Sequence, residues 1–212
     1  MSVGLVEQPA TVDVAGGVTL EARVSVPSGA TAGVVVCHPH PLYGGDMDSS
    51  VVVRAVEACA GRNVATLRFN FRGVGASTGT HDDGRGEQDD VRAALADLRR
   101  RLPAGAALGL AGYSFGAAMA AQVAAEAPLA GLALIAPPLR VMPMASAPTA
   151  HGPVLIVVGA EDQYCPSSAL DSLRDALPQA MITVLEGADH FFFGALDDLG
   201  AALGDWAGAL RA

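Results

Sequence analysis

The sequence predicts an α/β fold, a mostly parallel sheet covered by helices on both faces. Three observations carry that expectation. Short continuous apolar runs recur along the chain, as strands buried on both sides require. Stretches with helical character separate them. After an opening hairpin the two kinds of segment alternate, the order that produces parallel crossovers. The 212 residues are expected to form one domain, 1–212. An apolar share of 51 % against 17 % charged suits a packed core rather than a disordered chain.

Each element has its own justification. Val12 to Val14 and Val18 to Val26 alternate in polarity about Ala15-Gly16-Gly17, which reads as a hairpin with a Gly-Gly turn, ended by Pro27. Gly33 to Cys37 is the first fully apolar strand. Asp48-Ser49 can cap a helix running to about Cys59, and Val64 to Phe69 is the next strand. Glu87, Asp89 and Asp90 open a second helix that Arg99-Arg100-Arg101 close, acid first and base last, complementing the helix dipole. Ala106 to Ala111 is a strand leading into an alanine-rich helix from Phe115 to Ala125. Leu132 to Ala136, Val154 to Val158 and Met181 to Leu185 complete the strands, and Ser167 to Leu177 and Leu196 to Leu210 the helices.

Composition removes several function classes. A net charge of −9 gives no electrostatic basis for binding nucleic acid or an anionic membrane surface. No apolar run reaches the roughly 18 residues that span a bilayer. Met1 to Gln8 has neither a basic cluster nor an apolar core, so no secretory signal is expected. Cys37, Cys59 and Cys165 are widely spaced and odd in number, which suits reduced thiols and a cytoplasmic location. No CxxC or Cys/His cluster suggests zinc, and no cofactor is expected.

Ligands of open α/β sheets sit at the carboxyl ends of the strands. There the chain carries His38-Pro39-His40-Pro41-Leu42-Tyr43-Gly44-Gly45, then Asn70 to Ser77, then Gly112-Tyr113-Ser114-Phe115-Gly116, then Glu161-Asp162, then Asp189-His190. A strand that stops at Gly-x-Ser-x-Gly and restarts as a helix makes a strained turn with the serine oxygen exposed at its tip. Glycines are needed there because a side chain would collide with the neighbouring strand or helix. A serine hydroxyl is a poor nucleophile until a base within hydrogen-bond reach takes its proton, and the base needs a carboxylate to fix its tautomer. Ser114, His190 and Asp162 are the candidates for nucleophile, base and orienting acid. Glu161 and, more weakly, Asp189 are rivals for the acid. An oxyanion needs two donors: the backbone N–H of Phe115, and one from the 38–45 loop. His40 is favoured there because Pro39 and Pro41 have no N–H, with Leu42 or Tyr43 as alternatives.

Together the hairpin start, the His-Pro-His-Pro-Leu-Tyr-Gly-Gly loop, Phe69 to Ser77, Gly112 to Gly116, Gly159-x-Glu161-Asp162 and Gly187 to Phe192 resemble the small capless bacterial α/β-hydrolases. The likeness covers nearly the whole chain. It implies an α/β-hydrolase fold: an eight-stranded sheet, antiparallel at its second strand, with no cap domain and carboxylesterase-like serine hydrolase activity. Larger hydrolases insert a lid between the strands at 132–136 and 154–158. Here only Pro137 to Gly152 separate them, a proline-rich stretch too short for a domain. The site is therefore expected to be open and suited to small or short-chain acyl groups.

The expected function is thus hydrolysis of small-molecule carboxylic esters through an acyl-serine intermediate, with no nucleic-acid or membrane partner. A homodimer is compatible with a chain this small and apolar. The same three residues could serve a thioesterase, a peptidase or an amidase, and the fold could carry a non-catalytic binding or scaffold protein. His38 and His40 have the i, i+2 spacing of metal ligands, but packing beside the pocket is the plainer reading. His81 and His151 read as surface residues, Arg72 as a tie between loops, and Cys37 and Cys165 as packing thiols.

Overall fold

The computed structural model describes residues 5–126, 129–142 and 150–210. Eight strands form one sheet: β1 (Gln8–Val14), β2 (Val18–Ser25), β3 (Ala32–Cys37), β4 (Ala65–Phe69), β5 (Ala107–Tyr113), β6 (Gly131–Ile135), β7 (Val154–Gly159) and β8 (Met181–Leu185). Their spatial order is β1-β2-β4-β3-β5-β6-β7-β8. β1 pairs antiparallel with β2, and β2 with β4; every other pairing is parallel.

Burial follows position in the sheet. All residues of β3 to β7 are buried, the signature of strands covered on both faces. In the opening hairpin only alternate residues, Val12, Val14, Leu20, Ala22 and Val24, turn into the core. β8 closes the other edge, bonded to β7 alone, and is half-exposed. Helices α1 (Ser50–Ala60) and α5 (Leu196–Gly208) pack one face through Val52, Val56, Leu199, Leu203 and Trp206. Helices α2 (Arg85–Arg101), α3 (Phe115–Ala124) and α4 (Ser167–Ala176) pack the other through Val91, Leu98, Met119, Leu170 and Leu173. The chain therefore has the expected eight-stranded, mostly parallel sheet with an antiparallel hairpin at its start.

Boundaries differ where pairing overrides local pattern. β1 starts at Gln8, because Gln8 to Thr11 ladder against Glu21 to Val24. β5 continues through Gly112 and Tyr113, which pair with Leu134 and Ile135. Ser49 precedes α1 but does not cap it; its hydroxyl donates to the Asp46 carbonyl (3.0 Å). A short 3-10 turn, Pro41–Tyr43, lies in the loop after β3. Of the Pro137 to Gly152 stretch, in which no lid is expected, residues 143–149 lie outside the described residues.

Candidate active site

The turn from β5 into α3 places Ser114 at the tip with φ 54° and ψ −115°, a conformation L-residues seldom adopt and one that costs about 1–3 kcal/mol. Neighbours hold it there. A Cβ on Gly112 would strike the Gly116 carbonyl, and one on Gly116 would strike the Cys37 and His38 carbonyls at the end of β3. The sequence needs glycine at both positions because β5, α3 and β3 touch backbone to backbone.

Three side chains from separate strand ends meet at this tip. The Ser114 hydroxyl lies 2.9 Å from His190 Nε2 and can donate to it. His190 Nδ1 lies 2.8 Å from Asp162 Oδ2. An ionised carboxylate can only accept, so the proton belongs on Nδ1 and the Nε2 lone pair faces the serine. The other oxygen of Asp162 accepts the N–H groups of Tyr164 (2.8 Å) and Cys165 (3.3 Å). Asp162 and His190 are both buried. The Tyr113 phenol donates to the His190 carbonyl (3.1 Å), and the Tyr164 ring packs on the imidazole with centroids 4.7 Å apart.

The rival acids are placed elsewhere. Glu161 is exposed. Asp189 is engaged by its own loop: its Oδ1 accepts the N–H groups of Phe191 (2.9 Å) and Phe193 (3.4 Å).

The loop after β3 supplies the second half of the site. His38 is wholly buried, with Nδ1 donating to the Pro39 carbonyl (2.6 Å) and Nε2 accepting the Phe71 N–H (2.9 Å). Burial lowers its pKa to about 4, against the opposing effect of the Pro39 bond, and it stays neutral in this tautomer. His38 is thus a strut joining the ends of β3 and β4. His40 lines the cavity; its Nδ1 accepts the Leu42 N–H (3.2 Å), and its carbonyl accepts those of Tyr43 and Gly45 (3.1 Å each). Among the described residues the backbone N–H groups of His40 and Phe115 make no hydrogen bond within the protein, whereas those of Leu42 and Tyr43 are occupied. This separates the alternatives for a second anion donor that the sequence left open.

His81 is a correction. It is not a surface residue: it stacks near His40 and Phe115, centroids 5.2 and 5.8 Å away, with Nδ1 2.9 Å from the fully buried Glu87 carboxylate. Glu87 in turn accepts the N–H groups of Asp82 and Gly84 at the start of α2. Burial, then His81, lowers the pKa of His40. Arg72 ties its loop to α2 through a paired contact with Asp90. Burial raises the pKa of the Cys37 thiol and brings that of Cys165 to about 12, so neither is a ready thiolate. Among the described residues no group of three or more His, Cys, Asp or Glu is placed to hold a metal ion, and no helix is long and apolar enough to cross a membrane.

Ser114 and His190 open on a cavity of about 810 Å³, walled by the 3-10 turn, by Pro138, Val141 and Met142 after β6, and by Phe191 and Phe193 after His190.

The chain matches the family model for an alpha/beta hydrolase domain over residues 32–197. An uncharacterised protein of Rickettsia prowazekii is 32 % identical over 185 residues, which span 81 % of this chain and 76 % of that protein. An alpha-beta serine hydrolase homologue from Coxiella burnetii superposes with a TM-score of 0.83 at 33 % identity, over 96 % of this chain and 99 % of that chain. A serine hydrolase without a lid from Xanthomonas campestris superposes with a TM-score of 0.85 at 32 % identity, over 97 % and 95 %.

Proposed function

The chain belongs to the alpha/beta hydrolase domain family, and from that premise we propose that it cleaves carboxylic esters through an acyl-serine intermediate on Ser114. The observation that carries this reading is the continuous hydrogen-bonded path from Ser114 Oγ to His190 Nε2 (2.9 Å) and from His190 Nδ1 to Asp162 (2.8 Å).

His190 Nε2 takes the hydroxyl proton as Ser114 Oγ attacks the carbonyl carbon. Asp162 stabilises the imidazolium and keeps its ring aligned. Negative charge gathers on the carbonyl oxygen, facing the free N–H groups of Phe115 and His40. Each such donor contributes roughly 3 kcal/mol of transition-state stabilisation. His190 then protonates the departing alcohol. Water, deprotonated by the same Nε2, attacks the acyl carbon; the bond to Ser114 Oγ breaks, Nε2 returns its proton to Oγ, and the acid leaves. No step needs a cofactor.

The test is covalent. A fluorophosphonate should add one phosphonyl group to the native protein, at Ser114, and none to protein denatured beforehand. Labelling at another residue, or none on the folded chain, would refute the proposal and favour a binding protein built on the same fold.

A further inference from the structure

Phe191-Phe192-Phe193 follows the base directly, and its three rings are treated differently. Phe192 is fully buried, with φ at 56°, a left-handed conformation unusual for a bulky residue. Phe191 and Phe193 are 51 % and 78 % exposed, and both line the cavity. The inverted Phe192 backbone turns the flanking rings out while anchoring the loop in the core. The Asp189 carboxylate clamps both flanking N–H groups. Strain of this kind persists only where surrounding structure holds it, and it concentrates at ligand-binding features. The two rings lie 6.0 Å apart, and that of Phe191 meets the His190 imidazole edge-on at 5.6 Å.

Resting on the ester hydrolase reading, we propose that Phe191 and Phe193 select the alcohol part of the substrate, and that the preferred alcohols are uncharged and aromatic. The side follows from the chemistry. Nε2 must reach the departing oxygen, so the alcohol leaves beside His190, where Phe191 stands. The class follows from the walls. Two phenyl rings carried on a backbone held by Asp189 present flat apolar faces suited to a ring stacked or met edge-on. Among the described residues, none lining the cavity is arginine, and the chain has no lysine, so an anionic alcohol would find no permanent counter-charge there. Arg140, beside Val141, is exposed and is not part of the lining.

The experiment compares kcat/KM for ethyl acetate, benzyl acetate and ethyl butyrate in the wild type and in a Phe191→Ser/Phe193→Ser double variant. Burial of one phenyl group predicts that the benzyl-to-ethyl preference falls by about tenfold or more in the variant. The butyrate-to-acetate ratio, which reads the acyl side, should hold within about twofold. A fall under about threefold in the benzyl preference, or an equal fall in the butyrate ratio, overturns the assignment. Phe193→Ser alone, at the more exposed ring, serves if the double variant does not fold. In the wild type, benzyl alcohol should slow release of acetic acid from ethyl acetate at concentrations where ethanol does not; equal inhibition by the two also overturns it. Turnover of all three esters with unmoved ratios removes this inference and leaves the serine mechanism standing. A wild type inert toward every ester and toward fluorophosphonate removes both.

Discussion

The phenol of Tyr113 donates a 3.1 Å hydrogen bond to the carbonyl of His190, across 77 residues of sequence. The residue before the proposed nucleophile thereby holds the backbone of the proposed base. Tyr113 is almost completely buried, so Tyr113→Phe strands that carbonyl. Stability should fall by about 1–3 kcal/mol, read as a Tm drop of roughly 2–4 °C per kcal/mol in a chain of this size. kcat should fall while KM for a small ester holds, because the ring still fills its place. An unchanged Tm and kcat would show that the bond contributes nothing.

Replacing Ser114 with Ala removes the proposed nucleophile without disturbing the buried neighbours. Ester turnover should vanish and Tm should stay nearly constant. Asp162→Asn should be almost as damaging, because the amide invites the wrong imidazole tautomer; a loss of about 10⁴-fold in kcat is the expected scale. Steady-state kinetics on a p-nitrophenyl ester measures both, and near-native turnover in either variant contradicts the mechanism.

Gly45 lies against the backbone that carries the second proposed anion donor. A Cβ there would strike the Pro39 carbonyl and approach the His40 carbonyl at 2.8 Å. Gly45→Ala should displace the His40 N–H and lower kcat by about 10²-fold, the scale of one lost donor. Fluorophosphonate labelling should slow in parallel, because its phosphonyl oxygen uses the same donors. Full activity in this variant would place the second donor elsewhere.

His38 predicts an acid limb in stability. Its folded pKa is about 4, below the roughly 6.5 of an exposed imidazole. Because the folded value is depressed, the contribution is complete above pH 6.5 and is lost as pH falls toward 4, where the unfolded chain takes up the proton first. The loss approaches about 3 kcal/mol over that window. Chemical denaturation of the wild type and of His38→Gln across it should give curves that converge on the acid side. Parallel curves would show that His38 does not carry the effect.

Much of this was legible in the sequence because parallel sheets write themselves as apolar runs and place their chemistry just after them. Ser114, Asp162 and His190 each follow such a run, and the structure brings them within hydrogen-bond reach. Other features depend on contacts that no local pattern encodes. His81 has no motif around it, and its burial comes from Phe115 and Glu87 on the two helices behind it. Asp189 stands next to the base and reads as a rival acid, yet its carboxylate serves the two N–H groups that follow. The left-handed turn at Phe192 is invisible in three identical letters, because the distinction among them is made by backbone torsion. Leu42, Tyr43 and His40 could be told apart as donors only once the 3-10 turn had used two of their N–H groups.

The edge position of β8 has a temporal consequence. Ser114 rides on a central strand, whereas His190 arrives with the marginal strand that completes the sheet. A chain in which β8 has not yet paired with β7 would hold the Ser114 turn without the imidazole proposed to take its proton. Regain of turnover in a refolding time course therefore reports the pairing of that edge, and it should come no earlier than regain of the sheet's far-ultraviolet circular dichroism.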